Sequence, residues 1–286
     1  MTTREAHDTR RTVLVIGATG KTGRRVVERL HARGVAVRAG SRSSVPPFDW
    51  NDPRTWGPAL RGADAAYVAY YPDVAVPGAA DVIAALSELA VAGGTRRLVL
   101  LSGRGEEEAQ RSEEALRRSG AHWTVLRSSW FMQNFSEGLF LEPLLTGELA
   151  LPADGVLEPF VDADDIADVA VAALTDDRHA GQTYELTGPR LLRFQDAVAE
   201  IARASGRRLR YTPIASEQYA AGLAAAGVPL DAIGLLRYLF ATVLDGRNAH
   251  LADGVQRALG RQPRDFTAFA RDAAAGGVWN DVRLAA

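Results

Sequence analysis

TVLVIGATGKTGRRVVERL, residues 12–30, is the stretch whose reading decides the fold. Val13 to Ile16 is a short apolar run that ends at a glycine. Such an uninterrupted run reads as a strand buried on both faces. Gly17, Gly20 and Gly23 then stand first, fourth and seventh in the following turn. Beyond them Val26, Val27 and Leu30 share one face at helical spacing, with Arg24, Arg25, Glu28 and Arg29 around them. The order is strand, glycine turn, helix. Glycines there let the backbone turn tightly and approach a pyrophosphate, and unpaired amides at the helix start face the anion. The spacing is not that of the three-glycine dinucleotide fingerprint, whose first two glycines are two residues apart. It is not a Walker loop either, because Lys21 precedes the last glycine and no Gly-Lys-Ser/Thr closes the motif. An ordinary βα turn is the competing reading, and the flanking strand and helix favour the nucleotide.

The 286 residues suffice for one large domain or a main domain with a lobe, and the 47% hydrophobic content supports a sizeable core. A net charge of -2 without a basic block argues against nucleic acid as a partner. Cysteine is absent, which excludes disulfides and thiolate metal sites and fits a reducing compartment. No apolar run reaches membrane-spanning length and the first residues are too polar for a signal peptide, so a cytoplasmic protein without a membrane partner is expected. Residues 1–11 read as a loose polar lead-in. Lys21 is the only lysine in the chain. Its place inside the glycine turn favours an ammonium kept beside a phosphate over a compositional accident.

Val35 to Ala39 reads as a second strand, followed by Ser41-Arg42-Ser43. In a dinucleotide fold an acid here grips the ribose of NAD, whereas an arginine accommodates the 2′-phosphate of NADP. Arg42, a planar cationic fork flanked by hydroxyls, points to NADP(H). Val45 to Trp50 is expected to be a short third strand, with Asp49 and Trp50 as candidate adenine contacts. Asp52 and Pro53 read as N-cap and first turn of a short helix. Ala63 to Tyr71 reads as the fourth strand, ending in Tyr70 and Tyr71 where open α/β sheets bind ligands. Their competing reading is ring packing. Helices are expected at Ala79 to Ala92 and Glu106 to Arg118, the acids of the second forming a solvated face. Strands are expected at Arg97 to Leu101, Trp123 to Leu126 and Gln182 to Leu186. Trp130, Phe131, Met132 and Phe135 follow the sixth strand. They suit a flat apolar ligand or a cap on the core equally well. Asp162 to Asp165 read as capping and dipole partners of a helix. From Leu191 onward the pattern is mainly helical, with a short strand near Leu209 to Thr212 and helices at Ala215 to Ala225, Leu230 to Leu244 and Asp265 to Ala275. The expected architecture is α/β, a doubly wound, mostly parallel sheet over residues 12–188 and a smaller, mainly helical C-terminal lobe over 189–286. Residues 130–155 are expected to contribute to the substrate cleft.

VLVIGATGKTGRRVVERL, SRSS, LLSGRG, WTVLRSSWFMQNF and FVDADDIADVA together resemble the NmrA-like group of atypical short-chain dehydrogenases/reductases. Within it the chain looks most like bacterial relatives of ergot-alkaloid reductases and NADPH quinone reductases. The resemblance implies a Rossmann sheet with a small lobe over the nicotinamide. It also implies that Gly17, Thr19, Gly20, Lys21, Thr22 and Gly23 hold the pyrophosphate, with Arg42 on the 2′-phosphate. Tyr70 and Ser102 would border the nicotinamide, and Ser128 is a further candidate cofactor contact.

Standard members of that superfamily use Tyr-x-x-x-Lys, in which lysine lowers the tyrosine pKa for proton donation. This chain has no such pair, because its one lysine is Lys21. Without a tuned acid, hydride transfer is expected to favour acceptors that are already electrophilic, such as iminium ions, quinones or activated carbonyls. Tyr70, Tyr71 and Ser102, or a water held by Ser128 or Ser129, are the unranked proton-donor candidates. His7, His31, His122, His179 and His250 lack metal-ligand spacing, so no metal is expected. A serine hydrolase is disfavoured because no Gly-x-Ser-x-Gly elbow occurs. Three functions remain: an NADPH-dependent reductase of a flat apolar small molecule, in secondary metabolism; a non-catalytic NADP(H) sensor; and an NADP-dependent isomerase or epoxide-opening enzyme. A monomer or homodimer is expected.

Overall fold

In the computed structural model, which describes residues 11–280, the alternation of β1 (Thr12–Ile16) sends its apolar side chains to two cores. Val13 and Val15 enter one, and Leu14 and Ile16 the other on the opposite face. A strand buried on both sides needs helices over each face. The following strands are β2 (Ala36–Gly40), β3 (Ala65–Val68), β4 (Arg97–Gly103), β5 (His122–Ser128), β6 (Glu148–Leu151), β7 (Leu157–Glu158), β8 (Gln182–Leu186), β9 (Leu192–Arg193) and β10 (Arg210–Pro213). One parallel sheet of six strands runs β2-β1-β3-β4-β5-β8.

The covering helices of the first half are α1 (Lys21–Ala32), α2 (Trp56–Leu60), α3 (Ala79–Ala92) and α4 (Glu107–Arg118); after β5 come the short α5 (Asn134–Glu137) and α6 (Leu141–Thr146), then α7 (Ala163–Thr175). Val26 and Leu30 of α1 join Ile166 and Val169 of α7 on one face, while Ile83, Leu86 and Leu116 of α3 and α4 cover the other. The sheet is doubly wound. Its chain order reverses beside β1, so the crevice that binds ligands in such sheets lies outside the carboxyl ends of β1 and β3.

The remaining helices are α8 (Phe194–Ser205), α9 (Ser216–Ala225), α10 (Leu230–Tyr238), α11 (Gly254–Leu259) and α12 (Phe266–Ala275). A third apolar cluster joins Phe135, Phe140 and Leu144 to Phe194, Ile201, Phe240, Phe266 and Trp279. The 130–160 segment is tied to the later chain by backbone pairing as well, β6 with β10 in parallel and β7 with β9 antiparallel. α11 returns to the main sheet, where Val255 and Ala258 enter the first cluster.

The strand expected over Val45 to Trp50 does not form. Pro46 and Pro47 lack amide donors for a ladder, and the Phe48 amide instead donates to the Ser41 carbonyl at 2.8 Å, closing a loop. The Ala63 to Tyr71 segment is therefore the third strand, trimmed to Ala65–Val68. Asp52 caps its turn by accepting from the Arg54 amide at 3.1 Å. The helix expected over Leu230 to Leu244 passes at Tyr238 into a π-helical turn, Leu239–Val243. Apart from Arg11, the polar lead-in lies outside the described residues.

Candidate active site

The glycine turn owes its shape to close backbone contacts. Gly17 is left-handed at φ +77°, and its amide donates to the Gly40 carbonyl at 3.0 Å, joining the ends of β1 and β2. A Cβ at Gly23 would lie 2.0 Å from the Gly17 carbonyl oxygen, so α1 can start this close to β1 only with glycine. Arg24 donates the first amide bond back into the turn, to Gly20 at 3.1 Å. The amides of Lys21, Thr22 and Gly23 precede it, and with the helix dipole they favour an anion. Thr19 and Gly20 are exposed on the turn. Thr22 offers its amide only, because its buried hydroxyl accepts a 2.9 Å bond from the Tyr67 hydroxyl.

Lys21 reaches from the turn toward the 134–138 segment. A Cβ at Gly138 would lie 2.8 Å from the Lys21 Nζ, so the ammonium rests on bare backbone. Burial lowers its pKa, Glu137 opposes the shift, and Arg24 and Arg25 reinforce it. Glu137 is itself gripped by Arg25 at 2.7 Å and by Arg24. These pairs fasten α1 to α5.

Arg42 is exposed, and its guanidinium has no protein partner among the described residues. The loop beneath it is ordered by serines: Ser44 Oγ donates to the Ser41 carbonyl at 2.7 Å, and the hydroxyls of Ser41 and Ser43 lie 3.3 Å apart. Asp49 accepts from the Asn51 amide at 2.9 Å. Trp50 donates to the Ala69 carbonyl at 3.2 Å and packs against Phe48 and Tyr70, with ring centroids 4.9 and 4.8 Å apart. The narrow glycine cradle, the helix-start amides and the unengaged guanidinium fit the phosphates of a dinucleotide.

Beside the turn, at the carboxyl ends of the strands, lies a cleft of about 320 Å³. Lys21, Tyr70, Ser102, Ser128, Trp130 and Phe131 border it, as do Leu239 and Val243 of the π-helical turn. Four expected residues stand differently. Tyr71 is 76% exposed and does not line the cleft. Ser102 donates its hydroxyl to Glu113 at 2.8 Å, away from any substrate. Met132 and Phe135 are buried in the third cluster, Phe135 among the rings of Phe140, Phe160, Phe194 and Phe266. They follow the packing reading because α5 turns inward after Trp130.

Three carboxyl groups that the sequence did not single out line the same cleft: Asp73, Glu106 and Glu158. Glu158 is buried, accepts from the Trp130 amide at 3.2 Å, and leaves Oε2 without a partner. Burial pushes its pKa up to about 7, against the Trp130 amide and the Arg104 cation. Glu106 is also buried with Oε2 unpartnered; burial and then the Asp73 charge push it up to about 8. Asp73 is raised by burial, opposed by the Ala75 amide. The acids of α4 are thus not all a solvated face. Glu113 is fully buried and clasps Arg127 by two bonds of 2.7 Å. Arg104, also buried, spans Ser129, Asn248 and His250 beneath the cleft. Nothing in the sequence separates Glu106 from Glu107 and Glu108; the glycines at 103 and 105 were the available signal. Asp165, read as a capping partner, is buried and pairs with Arg261 at 2.7 Å and with Arg264. Asp162 does cap, accepting from the Asp164 amide at 2.8 Å. Among the described residues no His, Cys, Asp and Glu group is arranged to hold a metal ion, and no helix is long and apolar enough to cross a membrane.

A family model described as NAD(P)H-binding matches residues 17–177. The chain belongs to this NAD(P)H-binding family. Within it the sequence signature is that of the NmrA-like atypical short-chain dehydrogenases/reductases. Among similar proteins, an uncharacterised oxidoreductase of Bacillus subtilis is 32% identical over 269 residues, covering 90% of this chain and 93% of that one. Agroclavine dehydrogenase of Claviceps fusiformis is 30% identical over 280 residues, covering 91% and 96%. The crystal structure of Citrobacter sp. triphenylmethane reductase complexed with NADP(H) shares the fold, with a TM-score of 0.72, 20% identity and coverage of 92% and 99%. The glycine turn lies at the carboxyl end of β1, where doubly wound sheets receive a dinucleotide.

Proposed function

We propose that the protein is an NADPH-dependent reductase that transfers hydride to a flat, apolar, electrophilic small molecule. The observation that carries this reading is that Lys21 of the glycine turn itself lines the cleft at the strand ends. The Arg42 loop follows β2, which is bonded to that turn through Gly17 and Gly40, and Tyr70, Trp130 and Phe131 wall the cleft. Helix-start amides and Lys21 would hold the diphosphate, and Arg42 the 2′-phosphate. NADPH, when bound, supplies the hydride. The aromatic walls orient a planar acceptor and keep water from it. The segments 130–155 and 189–280 form the substrate side, as their shared apolar cluster supports. Oxidoreductase relatives at 30 and 32% identity are in keeping with this.

The test is NADPH oxidation followed by absorbance against a panel of quinones, enones and cyclic imines. Turnover with a planar acceptor is the expected result. Tight NADPH binding without turnover on any of them would replace the reductase with a cofactor sensor.

A further inference from the structure

Glu106 occupies the N-cap position of α4 yet makes no capping bond with its side chain. Its carboxyl is turned the other way, into space that β4 leaves open. A Cβ at Gly103 would lie 1.9 Å from Glu106 Oε1, so the carboxyl group sits against bare backbone at the strand end. The residue is only 6% exposed, Oε2 has no hydrogen-bond partner, and the side chain lines the cleft. Asp73, on the loop after β3, lines the same wall and accepts from the Ala75 amide at 2.8 Å. A buried, unpaired carboxylate near a second negative charge is costly, and a proton on Glu106 relieves that cost.

We propose that Glu106 keeps a proton in the cleft, and that it gives this proton to the acceptor as hydride arrives. The inference rests on the reductase reading and narrows its substrate class. A preformed cation, such as an iminium ion, is neutralised by hydride alone and has no use for the proton. A neutral conjugated carbonyl, such as a quinone or an enone, needs it. The acceptor gains two electrons with the hydride. The Glu106 O–H bond breaks, its proton bonds to the acceptor oxygen, and the electron pair stays on Glu106 as carboxylate. NADPH leaves as NADP⁺, and water returns a proton to Glu106.

The charged surroundings favour this assignment. After burial, Glu106, Glu107 and Asp73 raise the Tyr238 phenol further, against Arg247, so these groups share one electrostatic neighbourhood. Arg104 acts instead on Glu158, whose Oε1 accepts from the Trp130 amide, so Glu158 is held in place by partners that Glu106 lacks. Burial and the Asp73 charge put the Glu106 pKa up to about 8, so the proton is present at neutral pH.

The experiment uses the full chain, NADPH and 1,4-naphthoquinone. Infrared titration of the wild type minus Glu106→Gln, without substrate, should show a protonated carboxyl that titrates near pH 8 and is missing from the variant. In turnover, wild-type kcat should fall above that pH. Glu106→Gln should lower kcat by about 100-fold and lose the alkaline limb. Its KM for NADPH should stay within about twofold, and Glu106→Asp should restore part of kcat. A wild type without a Glu106-dependent carboxyl band above pH 6, or a Glu106→Gln profile equal to wild type, would overturn proton delivery while leaving the reductase standing. NADPH binding without oxidation by any acceptor would overturn the reductase reading and the delivery step with it.

Discussion

Gly23 and the Gly17 carbonyl lie in contact across the turn that joins β1 to α1, with 2.0 Å between that oxygen and the place a Cβ would take at residue 23. Both partners are backbone, so neither yields by a rotamer change. Gly23→Ala must push the helix start away from the strand. Overpacking of this kind costs about 1–3 kcal/mol. NADPH affinity should fall about tenfold or more together with the melting temperature, read by cofactor fluorescence and calorimetry on one preparation. Unchanged affinity would mean that the turn is not the phosphate cradle.

Arg42 is exposed and without a protein partner among the described residues, so its removal leaves the fold intact. A hydrogen bond to a charged group contributes about 1.5–3 kcal/mol. Arg42→Ala should therefore raise the Kd for NADPH by about 10- to 100-fold and that for NADH by less than about twofold. Equal losses for both cofactors would remove the 2′-phosphate assignment.

Glu106 also makes stability depend on pH. Its pKa rises from the ordinary 4.5 to about 8 on folding, because of burial and then the Asp73 charge. Between these values the folded chain holds more protons than the unfolded chain, so stability falls as pH rises through the window. The contribution is fully present below pH 4.5 and lost above about 8. Glu106→Gln should flatten the change in melting temperature between pH 5 and 8 by at least a few degrees. Parallel curves for wild type and variant would show that Glu106 ionises normally.

Phe135 is fully buried at the centre of a ring cluster, 5.2 Å from Phe140 and 5.4 Å from Phe266 by centroids. Its carbonyl accepts from Trp279 Nε1 at 2.9 Å, so the C-terminal helices close over it. Phe135→Ala should cost about 3–5 kcal/mol in denaturant unfolding. A stable variant with a raised KM for the acceptor would instead make Phe135 a substrate contact.

Tyr67→Phe removes the donor to the buried Thr22 hydroxyl, the bond that joins β3 to the first turn of α1. A loss of about 1 kcal/mol in stability is expected, with NADPH affinity kept, because the Thr22 amide is untouched. A large loss of affinity would give the Thr22 hydroxyl a direct part in binding.

Residues 12–30 determined the nucleotide-binding half of the protein, because a two-faced strand, glycines without side chains and a helical apolar stripe are all local properties. The Arg42 loop and the cap at Asp52 were legible for the same reason. The chain Val45 to Trp50 was misread because its amides found partners outside any ladder, which only the closed loop reveals. The cluster from Trp130 to Phe135 left two readings open, and packing divided it: Trp130 and Phe131 face the cleft, while Met132 and Phe135 fill the core. The acids were the least legible. Proton affinity depends on burial and on neighbours distant in sequence, and it took β3, β4 and α4 together to set Asp73 beside Glu106 over the bare backbone of Gly103.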